Sequence, residues 1–513
     1  FDYLCVMFIR KKKNRSGTIS VIVVDKSRGK FREVKKFGVA STDEEADALV
    51  KDAQLWLRRY GGMQYLDFDG TDKTEADIDY ALSHISKFLL NAPQTILGRV
   101  YDSIGFDKVG DDILRHLVIA RCCEPQSKLA TSAYLKSYFD EDISHFQIYR
   151  YMDKLYNTRQ ELVQQISVEH TKKILGGKIE IMFYDVTTLY FEASPGPEAD
   201  IRQAGFSKDG KSKEAQIVLG LLVSEDGYPL SYSIFNGSQY EGFTMIPVID
   251  DFVRKFSLKD FVVVADAGLM SSKNIELLKS AQYKYVIGAR IKNENVKIRD
   301  WVLALEKEDK KVYETSHGDG ERLVVSYSEK RAKKDAYNRN KGVERLRKSF
   351  KSGKITKDKI NKRGYNKFLE ISKGVEVTIN QEKIDEDAKW DGLKGYITNT
   401  DLSGEDVIKQ YTGLWVVERA FRISKGNLEM RPMFHFTERR IEAHVCICFI
   451  AYKVYKELQR LLPSYGIHMS VDKVLKIAKT IPTVYVKLPN GKIINKTLFL
   501  TDEQGQIKPL FDM

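Results

Sequence analysis

Three acidic residues stand in apolar surroundings that penalise a carboxylate. Asp185 interrupts KIEIMFYDVTTLYF, residues 178–191, whose β-branched and aromatic side chains read as a central strand. A carboxylate inside a buried strand costs several kcal/mol unless it is paired or metal-bound. A strand-end Asp is the plain alternative, but the β pattern continues past it through Leu189 to Phe191. Asp266 closes the apolar run Phe261 to Ala265, ahead of a loop and a helix, where α/β sheets build their sites. Glu418 lies in YTGLWVVERAFRISK, residues 411–425. At about 100° per residue, Tyr411, Leu414, Glu418, Arg422 and Lys425 fall within roughly an 80° wedge of one helix. The plain alternative there is an i,i+4 pair of Glu418 with Arg422, worth about 0.2–0.5 kcal/mol. Three carboxylates from separate elements around an open site suffice for magnesium, which prefers oxygen ligands and keeps several waters. Two such ions roughly 4 Å apart activate a water or a 3′-hydroxyl and stabilise the leaving oxygen of a phosphodiester. The eight histidines show no zinc spacing and read as core or capping residues.

A chain of 513 residues exceeds one core and needs several domains or subdomains to hold these groups. No apolar run approaches the roughly 20 residues of a membrane helix, so no membrane partner is expected. The segment Phe1 to Arg10 has the wrong order of charge for a signal peptide, and Met7 is a candidate start. Five cysteines without a C-x-x-C ladder suggest neither a disulfide framework nor zinc, and fit a reducing cytoplasm. The net charge is +12, yet residues 330–367 alone hold 16 basic and 3 acidic side chains. This block carries Lys333, Lys334, Arg345, Arg347 and Lys348, interleaved with Tyr337, Phe350 and Tyr365. Such a block suits a polyanion whose counterions are released on binding; an idle solvated segment is the alternative.

Six stretches follow from the pattern. Residues 1–75 form a small α+β domain, with β runs at Ile19 to Val24 and Phe31 to Phe37 and a helix over about Thr42 to Tyr60. Residues 76–176 turn helical and are expected to bind DNA. Within them Ser127 to Tyr138 and Ser144 to Leu155 outline two short helices across an acidic turn, which resembles a helix-turn-helix and would bring Lys128 to a phosphate; a plainly packed helical bundle gives the same pattern and is the alternative. Residues 177–291 alternate strand with acid, hairpin about Glu225-Asp226-Gly227, helix, strand with acid, helix and strand, an α/β sheet with an antiparallel half. Residues 292–395 break that alternation and read as a basic insertion, with short strands at Leu323 to Tyr327 and Val375 to Thr378. Residues 396–458 resume it and carry Glu418. Residues 459–513 are a C-terminal region with a hairpin around Asn490-Gly491.

The strand Tyr184-Asp185-Val186-Thr187-Thr188, the strand Val263 to Asp266 and the helix of Tyr411, Glu418 and Lys425 resemble the DDE transposases of bacterial insertion sequences. More narrowly they resemble the insertion-sequence-four superfamily, whose signature is Tyr, two residues, Arg, three residues, Glu, six residues, Lys. Tyr411, Glu418 and Lys425 fall on it in register; Leu414 stands where the signature has arginine, and Arg422, on the same face, is the candidate for its phosphate contact. Leu428 to Pro432, Arg439 to His444 and the loop Gly205 to Asp209, with Ser207 and Lys208 facing substrate, resemble the family's other segments. The resemblance covers residues from about 100 to 455. It implies a ribonuclease H-like, retroviral-integrase-like core with a mainly β insertion between the second Asp and the Glu. It implies Asp185, Asp266 and Glu418 as ligands of two Mg²⁺ or Mn²⁺ ions, with Tyr411 and Lys425 holding phosphate. The reaction implied is cut-and-paste transposition by a homodimer on paired inverted-repeat ends of double-stranded DNA, in the bacterial cytoplasm at the nucleoid. A nuclease or resolvase of the same fold that does not join ends, and a non-catalytic DNA-binding relic, are the competing readings.

Overall fold

The structure, a computed structural model, describes residues 7–26, 29–59, 78–156, 158–206, 213–269, 272–351, 364–372, 376–431, 433–488 and 490–513. Two compact units divide the chain: Phe1–Ser86 with Tyr485–Ile494, and Lys87–Val484 with Asn495–Met513.

In the smaller unit, strands β1 (Met7–Lys13), β2 (Ile19–Asp25) and β3 (Arg32–Ala40) form an antiparallel sheet, followed by helix α1 (Asp43–Arg59). Val21 and Val23 of β2 are fully buried against Ala40, Ala46 and Ala53. This matches the α+β pattern read from the alternation of β2 and the 3.6-residue period of α1. β4 (Ile85–Leu89) is a strand inside the stretch read as wholly helical. With Ile85, Ser86 and Lys87 all exposed, it has no buried alternation to announce it.

The larger unit opens with five helices: α2 (Ala92–Ile104), α3 (Asp112–Cys123), α4 (Lys128–Tyr134), α5 (His145–Leu155) and α6 (Gln160–Ile174). Ser127 caps α4 and Ser144 caps α5, the latter in a capping box with Gln147. The two short helices outlined in the sequence are therefore present. An eight-stranded sheet follows, ordered β10-β11-β14-β9-β8-β5-β6-β7. Its strands are β5 (Ile181–Tyr190), β6 (Gln216–Ser224), β7 (Pro229–Asn236), β8 (Val262–Ala265), β9 (Lys284–Ala289), β10 (Val312–Gly318), β11 (Glu321–Tyr327) and β14 (Leu393–Thr398). β5, β8 and β9 are parallel to one another, and the remaining pairs are antiparallel. The meander β5-β6-β7 followed by parallel β8 and β9 is consistent with a ribonuclease H-like core. Helices α7 (Met245–Phe256) and α8 (Ser272–Ser280) make the connections around β8.

Alternation along β5 and β8 sorts the core into two faces. Met182, Tyr184, Val263 and Ala265 pack in the cluster that holds Ile249 and Phe252 of α7. Phe183, Leu189 and Val264 pack in the other cluster, with α2 to α5 and the C-terminal helices α12 (Gly404–Thr412), α13 (Trp415–Lys425) and α14 (Glu438–Ser464).

The insertion differs from expectation. Its described residues are mainly helical: α9 (Val296–Ala304), α10 (Glu329–Lys351) and α11 (Gln381–Ala388) outweigh the small hairpin of β12 (Leu369–Ser372) and β13 (Glu376–Ile379). Its one long hairpin, β10-β11, extends the central sheet beside β14. The lysine-rich block becomes a helix because Lys, Arg, Glu and Ala are strong helix formers and no proline interrupts them. Val343 and Leu346 give α10 an apolar stripe against Phe368, Leu369, Val377 and Ile384. The Arg339 guanidinium clasps both oxygens of Asp391. Past the sheet, α15 (Val471–Ala478) precedes β15 (Thr483–Lys487) and β16 (Ile493–Thr497), which flank the turn at Asn490-Gly491, and α16 (Asp502–Gln506) follows.

Candidate active site

The register of two parallel strands brings the aspartates together. Tyr184 of β5 lies beside Ala265 of β8, so the next residue on each strand is Asp185 and Asp266. Adjacent strands run about 4.8 Å apart. Both aspartates follow residues of the α7 face, Tyr184 and Ala265, and therefore turn toward the face of Phe183 and Val264, which α12 and α13 cover. Asp185 is half-buried and its Oδ1 accepts from the Val186 amide at 2.8 Å. Asp266 is exposed, and its Oδ1 accepts from the Tyr411 hydroxyl at 2.7 Å.

The single helix read over residues 411–425 is two. Tyr411 belongs to α12 and Glu418 to α13, and the chain tightens between them into i→i+3 bonds: Gly413 N to Gln410 O at 2.9 Å, Leu414 N to Tyr411 O at 3.1 Å and Val416 N to Gly413 O at 2.9 Å. Packing sets the place of the joint. A Cβ on Gly413 would lie 2.5 Å from Cζ of Phe183, so only glycine lets the joint rest on β5. Gly288 of β9 plays the same part for the tyrosine, since a Cβ there would sit 2.5 Å from the Tyr411 oxygen. The joint redistributes the predicted wedge. Tyr411, Leu414, Val417, Glu418 and Phe421 line one cleft of about 540 Å³ together with Asp185 and Asp266. Glu418 is exposed there, and among the described residues it makes no ion pair with Arg422. Arg422 is exposed and is not part of the cleft wall. Leu414, in the signature's arginine position, is buried and lines the cleft with carbon. Lys425 is half-buried, and its ammonium donates to the Thr187 hydroxyl, two residues beyond Asp185 on β5.

Sequence reading missed Lys394. It stands on β14, half-buried, on the face of Tyr396, with its Nζ 4.2 Å from the centre of the Tyr411 ring and 5.5 Å from that of Tyr396. Burial and the repulsion of Arg331 lower its pKa, against the pull of Asp266 and Glu418. The signal was available: a lysine at an inward position of a strand is as costly as the aspartate that marked β5. Burial and the adjacent Asp266 raise the Tyr411 phenol well above its ordinary value, so it remains a neutral donor.

The other predicted contacts are dispersed. Lys333, Lys334, Arg345, Arg347 and Lys348 lie exposed along α10, and Lys333 pairs with Glu329 at 2.7 Å. Lys128 is 4 % exposed, inside the larger unit instead of on a surface. Ser207 and Lys208 lie outside the described residues, as do Val375 and positions 352–363 of the basic block. Among the described residues no three His, Cys, Asp or Glu side chains already close on one point. The donor set still suits a hard cation. Two carboxylates directly follow paired residues of neighbouring strands, the third rides on an exposed helix position across the same cleft, and no His or Cys is on the wall.

Residues 176–453 match the family described as Transposase DDE domain. Among solved structures, a piggyBac transposase synaptic complex with hairpin DNA shares 10% identity over 72% of this chain and 70% of that one, with a TM-score of 0.40. A Mos1 mariner paired-end complex with Mn shares 11% identity over 31% of this chain and 54% of that one, with a TM-score of 0.15. No curated protein matches the sequence. The family match spans Asp185, Asp266, the insertion and Glu418, more than half of the chain, and the chain belongs to the DDE transposase domain family.

Proposed function

We propose that this chain is a cut-and-paste DNA transposase of the insertion-sequence-four superfamily, cleaving at the ends of its element and transferring the freed 3′-hydroxyls into target DNA. The observation that carries the reading is the pairing of Asp185 and Asp266 at the next step of two parallel strands, with Glu418 across the same cleft. These three residues would hold the divalent ions, two Mg²⁺ or Mn²⁺, that the chemistry needs. Bound there, such ions supply an activated water or 3′-hydroxyl and offset charge on the leaving oxygen. The Tyr411 hydroxyl orients one oxygen of Asp266. Lys425 places a phosphate against the Thr187 end of the cleft and Arg422 meets the DNA outside it, while Lys333, Lys334, Arg345, Arg347 and Lys348 hold the duplex along the exposed side of α10. A homodimer acts on the two paired ends.

The test is a cleavage and joining assay on the inverted repeats that flank the gene, in Mg²⁺. Asp185→Asn, Asp266→Asn and Glu418→Gln are expected to reduce both steps to background while keeping the wild-type melting temperature within a few degrees. Wild-type cleavage without joining would make the protein a nuclease of the same fold, and full activity in Asp185→Asn would sink the carboxylate mechanism.

A further inference from the structure

A second, smaller pocket of about 110 Å³ lies in the larger unit, where α3, α4, Glu429, Arg431, Phe434, His435 and α14 meet. Its wall holds Arg121, Lys128, Arg431, His435 and His444, with Glu429 as its one acid. Arg121 is 6 % exposed, Lys128 4 %, His435 8 % and His444 5 %. Among the described residues, no hydrogen bond or ion pair engages the Lys128 ammonium. Among the described residues the Arg121 guanidinium reaches only the Gln126 carbonyl, at 3.4 Å. Glu429 is exposed, and the charges acting most strongly on His435 and His444 are the cations Lys128 and Arg121.

Burying two unpaired cations side by side is costly, since each loses its hydration and each repels the other. Desolvation, with Arg121 adding to it, lowers the Lys128 ammonium to about 7, and desolvation with Lys128 and Arg121 lowers His435 to about 3. A cluster of this kind becomes favourable when an anion completes it, because a charge-assisted bond in a desolvated site is stronger than one in water. The size of the pocket limits the guest. At a share of about 30 Å³ per water it has room for three or four, well below the roughly 300–1,000 Å³ of pockets that take whole small molecules. A single tetrahedral oxyanion fits inside, and a larger guest leaves the rest of itself outside.

We propose that this pocket binds one phosphoryl group, gripped by Lys128 and the guanidinium of Arg121, with His435 and His444 forming the wall behind it. The group is either a backbone phosphate of DNA or free inorganic phosphate. The proposal does not depend on the carboxylate chemistry and stands or falls separately from it.

The experiment compares the full chain with its Lys128→Met variant in sodium phosphate and in sodium chloride of equal ionic strength, by thermal melting and by binding to a short random-sequence duplex. The wild type is expected to show a saturable rise in Tm with phosphate that chloride does not give. Lys128→Met, which removes an unpaired buried charge at similar length, is expected to melt at or above the wild type in chloride and to lose the phosphate shift. If the guest is a DNA phosphate, inorganic phosphate competes with the duplex, and the variant's log–log salt slope falls by about 0.9. If the guest is free phosphate, duplex binding is the same in both proteins while the Tm shift is lost. Either pattern supports the pocket. Identical wild-type melting in phosphate and chloride together with unchanged duplex binding by the variant overturns it, as does a full phosphate shift in Lys128→Met. Arg121→Met repeats the test should Lys128→Met not fold.

Discussion

Removing one oxygen from Tyr411 separates its packing role from its role at the cleft. The ring is 5 % exposed and packs edge-on against Tyr396 at 4.8 Å between centres, with the Lys394 ammonium 4.2 Å from its centre. Tyr411→Phe keeps all of this packing and deletes the bond to Asp266 together with the bond that the Ala267 amide makes to the phenol oxygen. A hydrogen bond to a charged group contributes about 1.5–3 kcal/mol, but Asp266 is exposed, and water replaces much of what the phenol gave. A stability loss of about 1 kcal/mol follows, against about 3–5 kcal/mol for Tyr411→Ala, which also empties the space. The larger effect is expected in rate. A carboxylate oxygen released from its orientation loses on the order of 1.4 kcal/mol of transition-state stabilisation, which is about tenfold in the cleavage rate. Gly288→Ala should reproduce this with the tyrosine left in the sequence, because its methyl would stand 2.5 Å from the same hydroxyl and displace it. Single-turnover cleavage and urea melts read the two effects. A Tyr411→Phe protein with wild-type cleavage would refute the orienting role, and one as unstable as Tyr411→Ala would show that the hydroxyl does more in the fold than its bonds to Asp266 and Ala267 allow.

The basic helix and the buried histidine give two further predictions. Changing Arg345, Arg347 and Lys348 of α10 together to alanine is expected to flatten the salt dependence of duplex binding by up to about 0.9 log units per log salt for each phosphate no longer neutralised, with cleavage at saturating DNA unchanged; filter binding across a salt series measures it. His435 titrates at about 3 because burial, then Lys128, Arg121 and Arg440, disfavour its charged form. Its folded pKa lies below its unfolded value near 6.5. The unfolded chain therefore takes up the proton first, and stability is full above pH 6.5 and declines as pH falls toward 3. The slope from this one group is about 1.4 kcal/mol per pH unit. Urea melts between pH 7 and 5 should show a shallower decline in His435→Asn.

Local pattern carried much of the architecture. The β-branched run about Asp185, the apolar strand ending at Asp266 and the capped helices from Ser127 and Ser144 were legible because each is specified by residues close in the chain. The three carboxylates were legible for a related reason, since a charge in an apolar run is conspicuous. The basic block was conspicuous by composition but not by form: its charge hid the stripe of Val343 and Leu346 that makes it a packed helix.

What the sequence determined by itself is the inventory, namely two aspartates on strands, a glutamate on a helix and a concentrated positive charge. Tertiary structure alone decided how these meet. The parallel register of β5 and β8 sets Asp185 beside Asp266, although nothing in either segment names its partner strand. The close rest of Gly413 on Phe183 divides one apparent helix in two, leaving Glu418 in the cleft and Arg422 outside it. Lys394 enters that cleft, and Lys128 is buried among cations instead of exposed. Each of these depends on packing between residues far apart in the chain, where the cost or gain of a side chain is set by the neighbours it meets and not by those beside it in sequence.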